Sequence, residues 1–215
     1  MATTDLTSVG EVRATSGDGA IPPTIDRSRS ISGGMLMMLF FIGSEVMLFA
    51  SFFAAYFFVR FNIADNDWPP LNQDGEPFEL PIVLTGVNTA VLVASSFTLH
   101  WAEHRLKLGD RKGLQVGMIV TMMLGAAFLI VQLNEYWHLG FTPSDTAFGS
   151  SFYALTGLHG AHVAVGLTIL LVMFIRITKA NDFSPRFATP LAAGSLYWHF
   201  VDVVWVLLFF LVYLL

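Results

Sequence analysis

The chain has 215 residues, 54% apolar and 13% charged, with a formal net charge of −5 and a mean hydropathy of +0.63. Soluble domains carry about a quarter charged residues; twenty Phe and five Trp with so few charges describe an integral membrane protein rather than a water-facing globule. No basic cluster suits nucleic acid, and the absence of cysteine excludes disulfides, thiolate metal sites, iron–sulfur clusters and cysteine nucleophiles.

Residues 1–30 are rich in Ser, Thr, Gly, Asp and Pro and read as a flexible cytoplasmic tail. No apolar run precedes residue 35, which argues against a secretory signal. Asp5, Glu11, Asp18 and Asp26 argue against a mitochondrial transit peptide. Residues 31–215 then hold five apolar runs: Met35 to Val59, Leu80 to Leu99, Leu114 to Leu133, Phe152 to Ile175 and Pro190 to Leu215. About 20 residues at 1.5 Å rise cross a ~30 Å hydrocarbon core. The runs lack period-two alternation, so a helical rather than a barrel solution is expected. The fold class is therefore all-α, a polytopic bundle of five transmembrane helices at about 33–61, 80–104, 113–137, 150–178 and 189–215. Ten of the eleven basic residues lie in the tail, the loop after helix 2 and the loop after helix 4. Only Arg60 lies opposite, beside Asp65, Asp67, Asp74, Glu76 and Glu79. The positive-inside rule then puts the N-terminus in the cytoplasm and the C-terminus outside.

Ionisable groups inside a membrane helix are candidates for function, since a central charge costs roughly 2.5–3.5 kcal/mol on insertion scales. Glu45 sits near the middle of helix 1 among Phe41, Leu48, Phe49 and Phe52. It reads either as a proton-handling, carboxyl-reactive group or as a neutral acid bonded to a neighbouring helix. His199 and Asp202, three residues apart on helix 5, share a face, and a buried structural pairing with a His or a helix-4 group is expected. In helix 4, His159 and His162 flank Gly160; the Gly160–Ala164 pair suits close helix approach and would leave the imidazoles facing protein. Two histidines at i, i+3, with His199 as a third, could ligate metal or haem, but no complete ligand set accompanies them. Glu135-x-x-His138 is one half of a di-iron pattern that needs two such motifs plus two more Glu. His100 and His104, beside Trp101, read more simply as interfacial anchors. No glycine-rich phosphate loop and no extramembrane Ser-His-Asp set is present.

Several segments resemble the haem–copper oxidase subunit III family: Phe41-Ile42-Gly43-Ser44-Glu45-Val46, Asn88-Thr89-Ala90-Val91-Leu92 and Trp101-Ala102-Glu103-His104. So do Gln132 to Tyr136, Phe141 to Asp145, Phe148 to Phe152, Thr156 to Val163, and Tyr197 to Trp205. The resemblance covers about residues 36–215 in order. It implies an accessory subunit with no cofactor of its own in a proton-pumping cytochrome c oxidase, haem and copper lying in subunits I and II. It also implies bound phospholipid, a bacterial plasma membrane, and support of proton uptake and of lipid and oxygen access. Glu45 matches the family's carbodiimide-reactive carboxyl. The common family form has seven helices; five resembles the actinobacterial form, for which association with a cytochrome bcc complex in a supercomplex follows. The alternatives are a quinol-oxidase subunit III, a membrane cytochrome using His159, His162 and His199, and a proton-coupled transporter using Glu45 and Asp202.

Overall fold

A computed structural model of the chain describes residues 32–62, 81–179 and 188–214. The expected tail, the acidic segment 65–79 and Arg186 lie outside the described residues. The described chain forms α1 (Gly33–Asn62), α2 (Ile82–Lys107), α3 (Arg111–His138), α4 (Ala147–Lys179) and α5 (Ala188–Leu208). All five helical spans are long and apolar enough to cross a membrane, and no strand occurs among the described residues. One detail departs from expectation: Phe209–Leu214 continue α5 as a π-helical turn rather than α-helix.

The helix boundaries follow from local chemistry. Asp110 caps α3, its Oδ1 accepting the Gly113 amide at 3.0 Å. Thr146 caps α4 in the same way, Oγ1 accepting the Gly149 amide at 2.9 Å. Each satisfies an amide that the first turn leaves without an intrahelical partner. α2 and α3 end just before Gly109 and Gly140, whose φ values of +74° and +70° reverse the chain as few other residues can.

Four helices close a ring in the order α2, α3, α4, α5, each touching the next and α5 returning to α2. α1 lies outside that ring, against α4 and α5. Because lipid and core are both apolar, hydrophobicity does not say which face of a helix turns inward; small and polar residues do. Trp198 of α5 illustrates this. A Cβ on Gly125 of α3 would lie 2.5 Å from its ring, and one on Gly166 of α4 would lie 2.9 Å away. The indole therefore fills a slot that only glycine leaves open. The Gly160–Ala164 pair does not serve the close approach expected of it. A Cβ at Gly160 meets only Leu129, at 3.7 Å, and Ala164 is exposed. The close contact lies at Gly166 because that residue, and not Gly160, faces the bulky indole.

Candidate functional site

Many polar side chains inside the spans bond the preceding turn of their own helix, and a subset reaches other helices. α2 carries a ladder of short hydroxyl and amide residues at helical spacing. Asn88 Nδ2 donates to the Phe128 carbonyl of α3 at 3.1 Å, and Trp205 Nε1 donates to Thr89 Oγ1 at 2.9 Å. Trp198 Nε1 donates to Ser95 Oγ at 3.0 Å, and the hydroxyls of Thr98 and Thr121 meet at 2.7 Å. Buried polar groups need such partners, since water is absent to replace them. The ladder ties α2 to both of its neighbours in the ring.

Glu45 reaches the other way, from α1 to α4. Its Oε2 lies 2.8 Å from His162 Nε2, with side-chain exposures of 15% and 13%. His162 Nδ1 lies 2.7 Å from the Leu158 carbonyl one turn back. A carbonyl only accepts, so Nδ1 carries a hydrogen. Nε2 then either accepts the proton of a neutral Glu45 or, as imidazolium, donates to its carboxylate. Both arrangements hold one proton between the two groups and are neutral as a pair. Phe49 covers the imidazole at 4.9 Å, and Tyr197 Oη donates to the His162 carbonyl at 3.3 Å. Sequence spacing did not reveal this pair, because its members are 117 residues apart and His159 was an equally good partner.

The other candidates part company. His159 is fully buried in the ring, edge-on to Phe128 at 6.0 Å and 4.7 Å from Trp205, and neither nitrogen has a hydrogen-bond partner among the described residues. Asp202 pairs with Ser96 of α2, its Oδ2 accepting from Oγ, rather than with a helix-4 group. His199 meets the same hydroxyl at 2.9 Å through Nδ1. The three histidines thus point to three different neighbours. Among the described residues, no group of three or more His, Cys, Asp or Glu side chains comes together as a metal site. Glu135 and His138 also diverge: His138 is exposed and bonded to the Asn134 carbonyl, whereas Glu135 is buried. Glu135 accepts from Thr85 Oγ1 at 3.2 Å and from Tyr213 Oη at 2.9 Å. The π-helical turn carries Tyr213 to that carboxyl. Thr85, Ser96 and Tyr213 are the site residues that sequence reasoning missed, and Glu135, weighed there only as half of a di-iron pattern, is a buried acid bonded across helices. The inward stripe Thr121, Gly125, Phe128, Gln132, Glu135, at alternating spacings of four and three, was the available signal that Glu135 faces the interior.

At the α2–α3 end, Arg105 lies 4.8 Å over Trp101 and 3.6 Å from Asp110, and Arg111 donates to the carbonyls of Ile177 and Thr178 at 2.6 and 3.1 Å. His100 stands beside Glu103 at 3.8 Å. At the opposite end, the loop before α4 is closed by Asp145, whose Oδ2 accepts the Thr142 amide at 2.6 Å. Hydrogen bonds from the Thr142 backbone and side chain hold the Asp145 carboxyl below the usual carboxylate range.

Comparison with known proteins adds a family. The sequence profile described as cytochrome c oxidase subunit III matches residues 24–215. A protein named probable cytochrome c oxidase subunit 3 from Nocardia farcinica is 42% identical over 193 residues, 88% of this chain and 90% of its own. Proteins named cytochrome c oxidase subunit 3 from Locusta migratoria and Loxodonta africana are each 40% identical, over 86% and 82% of this chain. The match covers 69% and 67% of those two relatives.

Proposed function

The chain belongs to the cytochrome c oxidase subunit III family, and on that footing we propose that it is a non-catalytic subunit whose Glu45–His162 pair holds a proton inside the membrane. Electron transfer and oxygen reduction then fall to partner chains, subunits I and II of the same oxidase, which carry the haem and copper. The observation that carries the reading is the 2.8 Å contact between Glu45 Oε2 and His162 Nε2, with Nδ1 committed to a carbonyl. Such a pair exchanges its proton without changing its net charge, which avoids the cost of an isolated ion in a low-dielectric site.

The relative matched over 90% of its length is from Nocardia, which supports a bacterial plasma membrane as the location. The distribution of ten basic residues on one side supports a cytoplasmic N-terminus. The exposed apolar flank of α1 suits bound phospholipid and a neighbouring helix of the complex. Membership of a larger assembly with a cytochrome bcc complex is a further part of the proposal.

Carbodiimide labelling tests the site. An apolar carbodiimide needs a protonated carboxyl to react, and the Glu45 side chain is 15% exposed. In the purified complex, mass spectrometry is expected to find the adduct on Glu45, and Glu45→Gln is expected to abolish it while the complex stays assembled. An adduct on Asp202 or Glu135 instead, or undiminished labelling of the variant subunit, refutes the assignment.

A further inference from the structure

A second chain of polar groups lies on the α2 side of α5, away from Glu45. His199 and Asp202 share one hydroxyl, that of Ser96: Nδ1 of His199 is 2.9 Å from Oγ, and Oδ2 of Asp202 also bonds to it. Asp202 is buried, and its Oδ1 has no partner among the described residues. We propose that His199, Ser96 and Asp202 form a proton wire that loads one proton onto Asp202 within the membrane, with the His199 tautomer reversing as it does so. The proposal stands on this chain's own hydrogen bonds and does not rest on the role given to Glu45.

A serine hydroxyl has one hydrogen, so Ser96 donates to only one of its two neighbours at a time. With Asp202 ionised, the hydroxyl donates to Oδ2, and His199 must donate its Nδ1 hydrogen to Oγ. With Asp202 protonated, the acid donates to Oγ, the hydroxyl turns to His199, and Nδ1 becomes an acceptor. Both hydrogen bonds to Ser96 Oγ are kept in both states without any heavy atom moving. A proton arriving at Nε2 makes imidazolium; the Nδ1 hydrogen passes to Oγ while the hydroxyl hydrogen passes to Oδ2. The products are neutral Asp202, an intact serine and His199 carrying its hydrogen on Nε2, so one proton enters and one is stored. The same geometry argues against a serine nucleophile, whose hydroxyl would have to be donated to an accepting imidazole while its oxygen remained free to attack.

The wire has an approach. Ser96, His100 and Glu103 lie at i, i+4 and i+7 on one face of α2. Ser96 is about 16 Å along the axis from Lys107 at the basic end. Glu103 and His100 are the titratable groups of α2 that interact electrostatically with His199, and they stand 3.8 Å apart with the His100 side chain 75% exposed. From the other helices packed on α5, Glu45 and His162 approach on the Tyr197 side. Glu135 meets the Tyr213 of the terminal turn.

Infrared spectroscopy of the purified complex, perfused with buffers of stepped pH in H2O and D2O, tests the wire. A carboxylic-acid C=O band that disappears in Asp202→Asn is expected. Its hydrogen–deuterium exchange is expected to slow by an order of magnitude or more in Ser96→Ala and in His199→Gln, and to recover in Ser96→Thr, which restores a hydroxyl. Equal exchange rates in wild type and Ser96→Ala, or no band that depends on Asp202, overturns the proposal. Should Ser96→Ala fail to assemble, the 15N resonances of His199 in the wild-type complex decide. Donor and acceptor character exchanging between the nitrogens as Asp202 titrates supports the wire, and a fixed tautomer overturns it.

Discussion

Single residues in this protein act through what they are bonded to, and Asp145 offers the simplest measurable case. Its carboxylate is held by Thr142, and those bonds favour the charged form. A group whose folded pKa is depressed contributes order above its unfolded value, about 3.9 for Asp, and loses it as pH falls through the lower folded value. Protection of the Thr142 amide against hydrogen exchange is therefore expected to persist through the ordinary carboxylate range and to disappear only below it. In Asp145→Ala that protection should be missing at every pH; an amide equally protected in the variant would remove Asp145 from the loop's support. Thr142-Pro143-Ser144-Asp145 is turn chemistry, although in the sequence this stretch served only the family resemblance. Glu45 was legible as a carboxyl in an apolar run, but its partner was not. Two imidazoles three residues apart diverge by about 60° around a helix axis, and only the position of α1 decides that His162 meets the acid and His159 the ring interior.

Elements were read from their apolar length, and all five spans are present because a membrane leaves the backbone no cheaper way to satisfy its hydrogen bonds. Interhelical pairing was harder to read. α2 is held by its hydroxyls, each such bond contributing on the order of 0.6–2 kcal/mol in bilayers. A hydroxyl in a membrane helix can equally bond its own preceding turn, as Thr89 does to the Thr85 carbonyl at 2.7 Å. Spacing alone therefore does not reveal that Thr89 also receives Trp205. Glycines show the same ambiguity. Gly160 and Gly166 look alike in sequence, but only Gly166 touches Trp198. Gly125→Val and Gly166→Val are each expected to destabilise the bundle by about 1–3 kcal/mol through overpacking, measured by unfolding in mixed micelles. Gly160→Val, whose nearest neighbour is a flexible leucine tip at 3.7 Å, should cost much less. If the Gly160 variant proves the most damaging, the glycine slot is not where α5 is seated.

At the scale of the molecule, the described spans divide into a ring of four helices and one helix attached to its outside. The ring is cross-linked on several edges by hydrogen bonds, among them the buried bonds of Trp198 to Ser95 and Asn88 to the Phe128 carbonyl and the part-buried bond of Arg111 to the end of α4. α1 instead presents one buried stripe, Phe49, Phe53 and Tyr56, with the Glu45–His162 pair among its attachments. A charged or hydrogen-bonded pair in a dry interface is costly to half-remove, because the remaining partner loses its bond without gaining water. His162→Ala should therefore loosen α1 by about 1–3 kcal/mol while leaving the ring intact. The chain has no cysteine, so spin labels can be introduced singly in pairs at exposed positions. One pair would join α1 to α5 at Met47 and Val203, and a control pair would join α2 to α3 at Phe97 and Met123. In His162→Ala the distance distribution of the first pair is expected to broaden and that of the control to stay narrow. Equal broadening would mean the pair supports the whole bundle; no change in either would mean the apolar stripe alone holds α1, and the Glu45–His162 contact would then be free to serve the proton alone.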